Sequence, residues 1–147
     1  MSSEKRHVFR VEIEAPAEKV WQAIIDPEMT SQYYFETGFT GDLRPGGAYA
    51  YKNGDGEDVL SGVILEIEPP RRMVTTFSAQ WADDIRSEPD SRVTWEIEER
   101  DGRSVVTVTH DQLDRSPITF EGVSGGWPGI LEGLKQLVET GRVVAAA

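Results

Sequence analysis

His110 is the side chain best suited by type and place to do chemistry. It closes the run Val105-Val106-Thr107-Val108-Thr109-His110, on the alternate face that carries Val106 and Val108. An imidazole there can hydrogen-bond a ligand or move a proton near neutral pH. The plainer alternative is a half-solvated histidine at a strand end, bonded to backbone. The other histidine, His7, is distant in sequence, and the two show no HxH or HExxH spacing. With no cysteine, disulfides, thiolate chemistry and Cys-type zinc sites are ruled out. No serine is read as lying in a GxSxG nucleophile elbow. A carboxylate such as Glu36 or Asp58 would have to reach His110 through the fold to make an acid–base pair. No catalytic residue is therefore assigned, and neither metal nor cofactor is expected.

Aromatic side chains are the second resource. Tyr33, Tyr34, Phe35, Phe39, Tyr49, Tyr51, Phe77, Trp81, Trp95, Phe120 and Trp127 can line a concave surface and stack on a planar molecule, or form ordinary core. Trp95 in mid-strand and Trp127 at the opening of the last helix are best placed for lining, whereas Trp21 suits packing between its own helix and the sheet. Gly46-Gly47, Gly54-x-Gly56 and Gly125-Gly126 lack the context of phosphate loops and read as turns. Asp83, Asp84, Glu88 and Asp90 have no EF-hand spacing and read as part of a solvated loop, Ala82 to Asp90.

The elements that would position these residues follow from periodicity. HVFRVEIE alternates, with Phe9, Val11 and Ile13 on one face and charged residues on the other, as in a half-buried strand. Pro16 opens a helix with the stripe Val20, Trp21, Ile24 and Ile25, and Asp26 caps a second short helix through Tyr33-Tyr34. From Phe35 to Asp111, turn signals separate strand-length segments: AYAYK, DVLSGVILEIE, RMVTTFSAQW, SRVTWEIEE and RSVVTVTHDQL. Trp127, Ile130, Leu131, Leu134, Leu137 and Val138 then recur at helical steps. Because Pro128 fits only a first turn, this helix is expected to begin near Gly126 and to end at Gly141, with a frayed Val-Val-Ala-Ala-Ala tail. The order predicts an α+β domain: a curved antiparallel sheet of about six to seven strands around a long C-terminal helix, with two short helices after the first strand.

The chain has 147 residues, which suits one domain over 1–147 with an ordered core of about 6–141. Its 26 acidic residues against 15 basic ones give a net charge of −11. Such a surface repels phosphate backbones and anionic headgroups, so neither nucleic acid nor membrane is an expected partner. MSSEKRHVFR lacks the apolar run of a signal peptide, and a cytoplasmic location is expected.

Several strings resemble the SRPBCC (START-like, birch-pollen-allergen-like) superfamily, in the branch related to the C-terminal domain of the activator of the heat-shock-protein-ninety ATPase. They are APAEKVWQAIIDPE, DLRPGG, GVILEIEPPRRMV, SRVTWEIEERDG, VTVTHDQL and GGWPGILEGLKQLVETG, and they span nearly the whole chain in order. The resemblance implies a helix-grip fold with a cavity under the long helix, in which superfamily members bind lipids, sterols, hormones or polyketides and some catalyse cyclisation or hydroxylation. It supplies three readings. The first is binding of a small hydrophobic or aromatic molecule, by a monomer or homodimer, in a cavity walled by Phe9, Val63, Leu65, Phe77, Trp95, Val106, Val108, Trp127, Leu131 and Leu134, with His110 as polar contact. The second is a polyketide-cyclase-type enzyme using that cavity. The third is a co-chaperone-like interaction module, for which a chain of this length has no room for the activator's separate N-terminal domain.

Overall fold

A computed structural model describes residues 6–141. The frayed tail expected at the C-terminus lies outside them. The first strand, β1 (His7–Ile13), runs into α1 (Ala17–Ile25) and α2 (Pro27–Tyr33). Six strands follow: β2 (Gly38–Gly41), β3 (Ala48–Lys52), β4 (Asp58–Glu68), β5 (Arg72–Ala79), β6 (Ser91–Arg100) and β7 (Arg103–Asp111). A single-turn helix, α3 (Asp83–Arg86), interrupts them after β5, and α4 (Pro117–Thr140) closes the chain. The strands form one seven-stranded sheet in the order β1-β7-β6-β5-β4-β3-β2, antiparallel at every pairing. Strands β2 to β7 each pair with their neighbours in sequence. Helices α1 and α2 carry the chain from one edge of the sheet to the other, and α4 packs against both of them and β1.

Side-chain alternation decides what the sheet offers to α4. Met73 pairs with Trp95, Trp95 with Val108 and Val108 with Phe9, so these four form one row across the inner face. The next row runs from Thr75 through Val93 and His110 to His7. Strand β4 departs from the expectation. Leu60 and Ile64 are buried, whereas Val63 is 39% and Leu65 45% exposed on the outer face. A strand has a period of two, so choosing the wrong parity turns a side chain from core to solvent. A register irregularity between Ile64 and Glu66 then brings Ile67 back against the core. Val63 and Leu65 therefore do not belong to any internal wall.

Helix α4 is longer than its sequence suggests. Pro117 occupies the first turn, and Pro128 lies inside the helix. Its missing N–H leaves the Ser124 carbonyl without the usual helical donor, in a stretch that also carries Gly125, Gly126 and Gly129. Glu88, read as part of a solvated loop, caps the helix instead. Its carboxylate accepts from Ile118 N at 3.0 Å, Thr119 N at 2.7 Å and the Thr119 hydroxyl at 2.8 Å. Burial raises the Glu88 carboxyl, but these hydrogen bonds more than offset it and hold the group below the usual carboxylate range. The same segment holds α3, whose Ile85 is buried. At the other end Gly141, at φ 83°, takes the left-handed closing position expected of it.

Candidate functional site

The interior is not uniformly filled. Between the first half of α4 and the sheet lies a cavity of about 300 Å³. Its floor is Tyr51 of β3, Val59 and Leu60 of β4, and Phe77 of β5; its roof is Gly122, Val123, Gly126, Trp127 and Ile130 of α4. Tyr34, Phe35 and Thr37, from the turn after α2, close one side, and Trp81, just after β5, closes another. A crevice of about 10 Å³ continues it inward past Phe39, Tyr49, Met73 and Trp95.

The sequence builds this space locally. The roof residues sit at i, i+1, i+4, i+5 and i+8 on α4, one face of a helix, and two of the five are glycines without side chains to fill the gap. Two exposed aromatics frame the opening. Phe35 and Glu36 both adopt left-handed backbone, φ 51° and 57°, which turns the chain from α2 toward β2 and sets the Phe35 ring over Gly126. A methyl at Gly126 would come within 3.3 Å of that ring, and one at Gly122 would lie 4.0 Å from Trp81. Farther along α4, Gly133 allows the opposite: a methyl there would meet Tyr33 Cβ at 2.7 Å, so α2 packs directly on the helix backbone.

The walls are aromatic. Tyr34 stacks on Tyr51 with ring centroids 4.2 Å apart and meets Trp127 edge-on at 6.1 Å. Phe77 meets Trp81 edge-on at 6.4 Å. The lining includes no acidic, basic or histidine side chain. Among the described residues, no group of three or more His, Cys, Asp and Glu is arranged to hold a metal ion, and no helix is long and apolar enough to cross a membrane.

His110 lies behind this wall rather than on it. It is fully buried, with the Phe77 ring 4.4 Å from its own. Its Nδ1 accepts from Trp127 Nε1–H at 3.1 Å, so the proton sits on Nε2, which donates to Ser91 Oγ at 2.7 Å. Ser91 in turn reaches the Phe77 carbonyl at 3.5 Å. Burial, aided by His7, pushes the imidazole down to about pH 3, against a smaller opposing effect of Asp111. The group is therefore neutral, fully bonded and structural: it fixes the tilt of Trp127, whose ring borders the cavity.

Of the other residues expected in the wall, Phe77 and Trp127 line the cavity, and Trp95 borders its inner crevice. Val106, Val108, Leu131 and Leu134 are buried under the second half of α4, where the packing is solid. Phe9 is half-buried at the edge of that packing. Tyr34, Phe35, Tyr51 and Trp81 were visible as aromatics in the sequence, but nothing singled them out. Val59, Leu60, Gly122, Val123 and Gly126 were missed. The helical step from Val123 to Trp127 and Ile130 would have found the roof, had Pro128 not argued for a later start. The pentad Gly122-Val123-Ser124-Gly125-Gly126 also spells GxSxG, yet it lies within α4, and its Ser124 hydroxyl donates to the Glu121 carbonyl at 2.8 Å. It is no nucleophile elbow.

Comparison with known proteins agrees with this architecture. CalU16 from Micromonospora echinospora is 26% identical, with a TM-score of 0.73 over 94% of this chain and 78% of its own. DynU16, a protein of the dynemicin biosynthetic locus, shares 20% identity and a TM-score of 0.78 over 96% of this chain, which spans only 49% of that one. The Aha1 dimer from Colwellia psychrerythraea shares 16% identity and a TM-score of 0.72, over 92% of this chain and 97% of its own. None of the curated proteins matches. A family model covers residues 14–139, and the chain belongs to the activator of Hsp90 ATPase homolog 1-like proteins, within the START-like superfamily.

Proposed function

We propose that the protein binds a small, planar, largely apolar molecule in the cavity beneath the first half of α4. The observation that carries this is the cavity itself: about 300 Å³, walled by Tyr34, Tyr51, Phe77 and Trp127 and framed by two exposed aromatics. Ligand sites have this size and this apolar, aromatic lining. Binding is favoured over cyclase-type catalysis because no side chain that ionises near neutrality borders the space, and both nitrogens of His110 are committed elsewhere.

A thermal-shift screen with planar aromatic compounds tests this reading. A compound present at about one hundred times its dissociation constant should stabilise the fold by about 2.7 kcal/mol. Val123→Trp, which fills the space from the roof, should remove that shift while the variant still melts cooperatively. Undiminished binding by a folded Val123→Trp protein would place the ligand elsewhere.

A further inference from the structure

Two of the four tyrosines leave their hydroxyls unused. Tyr33 donates to the Ala23 carbonyl and Tyr49 to the Thr76 carbonyl. Tyr34 and Tyr51 are 6% and 4% exposed, and neither hydroxyl has a hydrogen-bond partner among the described residues. Yet no polar side-chain atom sealed inside the described residues lacks a partner. The two oxygens are therefore not sealed, and the space that both residues border is the cavity and its crevice. Burial raises both phenols well above their ordinary range, with neighbouring tyrosines adding to it, so each keeps its proton and can donate. An ion placed in this space would find no opposite charge, and an unpaired buried charge is strongly disfavoured.

Building on the binding reading above, we infer that the Tyr34 and Tyr51 hydroxyls are the polar recognition pair of the cavity, and that its ligand is an uncharged planar molecule bearing a hydroxyl or carbonyl oxygen. A ligand without such an oxygen would leave both hydroxyls unpaired when it excludes water.

The test compares naphthalene, naphthol and naphthoate by tryptophan fluorescence titration at neutral pH, on the unaltered protein and on Tyr34→Phe, Tyr51→Phe and the double variant. Phenylalanine keeps the ring stack, and melting curves verify that each variant is folded. Naphthol should bind about tenfold more tightly than naphthalene, the margin of one or two hydrogen bonds. That preference should shrink in either single variant and vanish in the double one, and naphthoate should bind most weakly. Equal affinity for naphthol and naphthalene, or a preference that survives the double variant, would overturn the recognition pair and leave the apolar cavity reading intact. Failure of all three compounds to bind would remove the binding reading and this inference with it.

Discussion

The two halves of α4 cover the same sheet and do opposite things. Beyond Ile130, Leu131, Leu134, Leu137 and Val138 project into a packed interior against Val106 and Val108, and the helix end is tied down by Lys135 to the Glu12 carbonyl at 2.9 Å. Before Ile130, the helix carries four glycines and one internal proline within Gly122–Gly129, and the space beneath it is open. One half stabilises the fold; the other gives up contacts and helix propensity. His110 stands at the border, near the end of β7, and its bond to Trp127 links that strand to the wall of the hollow half.

Truncations should separate the halves most sharply. Leu134→Ala removes a fully buried side chain from the solid end and should cost about 2–5 kcal/mol. Val123→Ala removes a wall of an existing cavity and should cost about 1 kcal/mol or less, since fewer contacts are lost. Urea unfolding measures both, and equal losses would mean that the two ends are packed alike.

The border should respond to acid. His110 is held neutral when folded, down to about pH 3, whereas in the unfolded chain it takes up a proton near pH 6.5. Between those values the unfolded state binds the extra proton, so stability falls as pH falls. The contribution approaches about 1.4 kcal/mol per pH unit from this one group. Carboxylates add a slope of the same sign at lower pH, so the informative quantity is the difference in slope between the unaltered protein and His110→Gln from pH 7 to 4.5. Parallel slopes would show that His110 is solvated and free to titrate.

The smallest effect should come from the outer side of the hollow half. A methyl at Gly125 meets nothing within 4 Å. Gly125→Ala should raise stability by about 0.5–1 kcal/mol through helix propensity alone, with ligand affinity unchanged. A loss of stability there would indicate that the glycine helps the helix accommodate Pro128 rather than lying idle.

The succession of elements along the chain, the paired helices after β1, the Asp26 cap and the closing glycine of α4 were legible in the sequence, because each depends on local periodicity or turn chemistry. The placement of the cavity was not. Val63 and Leu65 are as apolar as Leu60 and Ile64, and only the pairing register tells which pair faces inward. Pro128 argued for a short helix on sound local grounds, and the start at Pro117 depends on Glu88, a cap supplied from 30 residues before Ile118 and 31 before Thr119. His110 showed its face in the alternation with Val106 and Val108, but its two bonds join three separate elements, and no spacing along the chain encodes that.

The four tryptophans provide the most direct measurement, because they sample the interior at different distances from the cavity. Trp81 and Trp127 border it, Trp95 borders the inner crevice, and Trp21 is buried on α1 outside its lining. Titrating the protein with naphthol and following the four indole N–H signals by NMR should give saturable shifts at Trp81 and Trp127, a smaller one at Trp95 and none at Trp21. Shifts that begin at Trp21, or that grow without saturation at all four, would contradict a ligand site beneath the first half of α4.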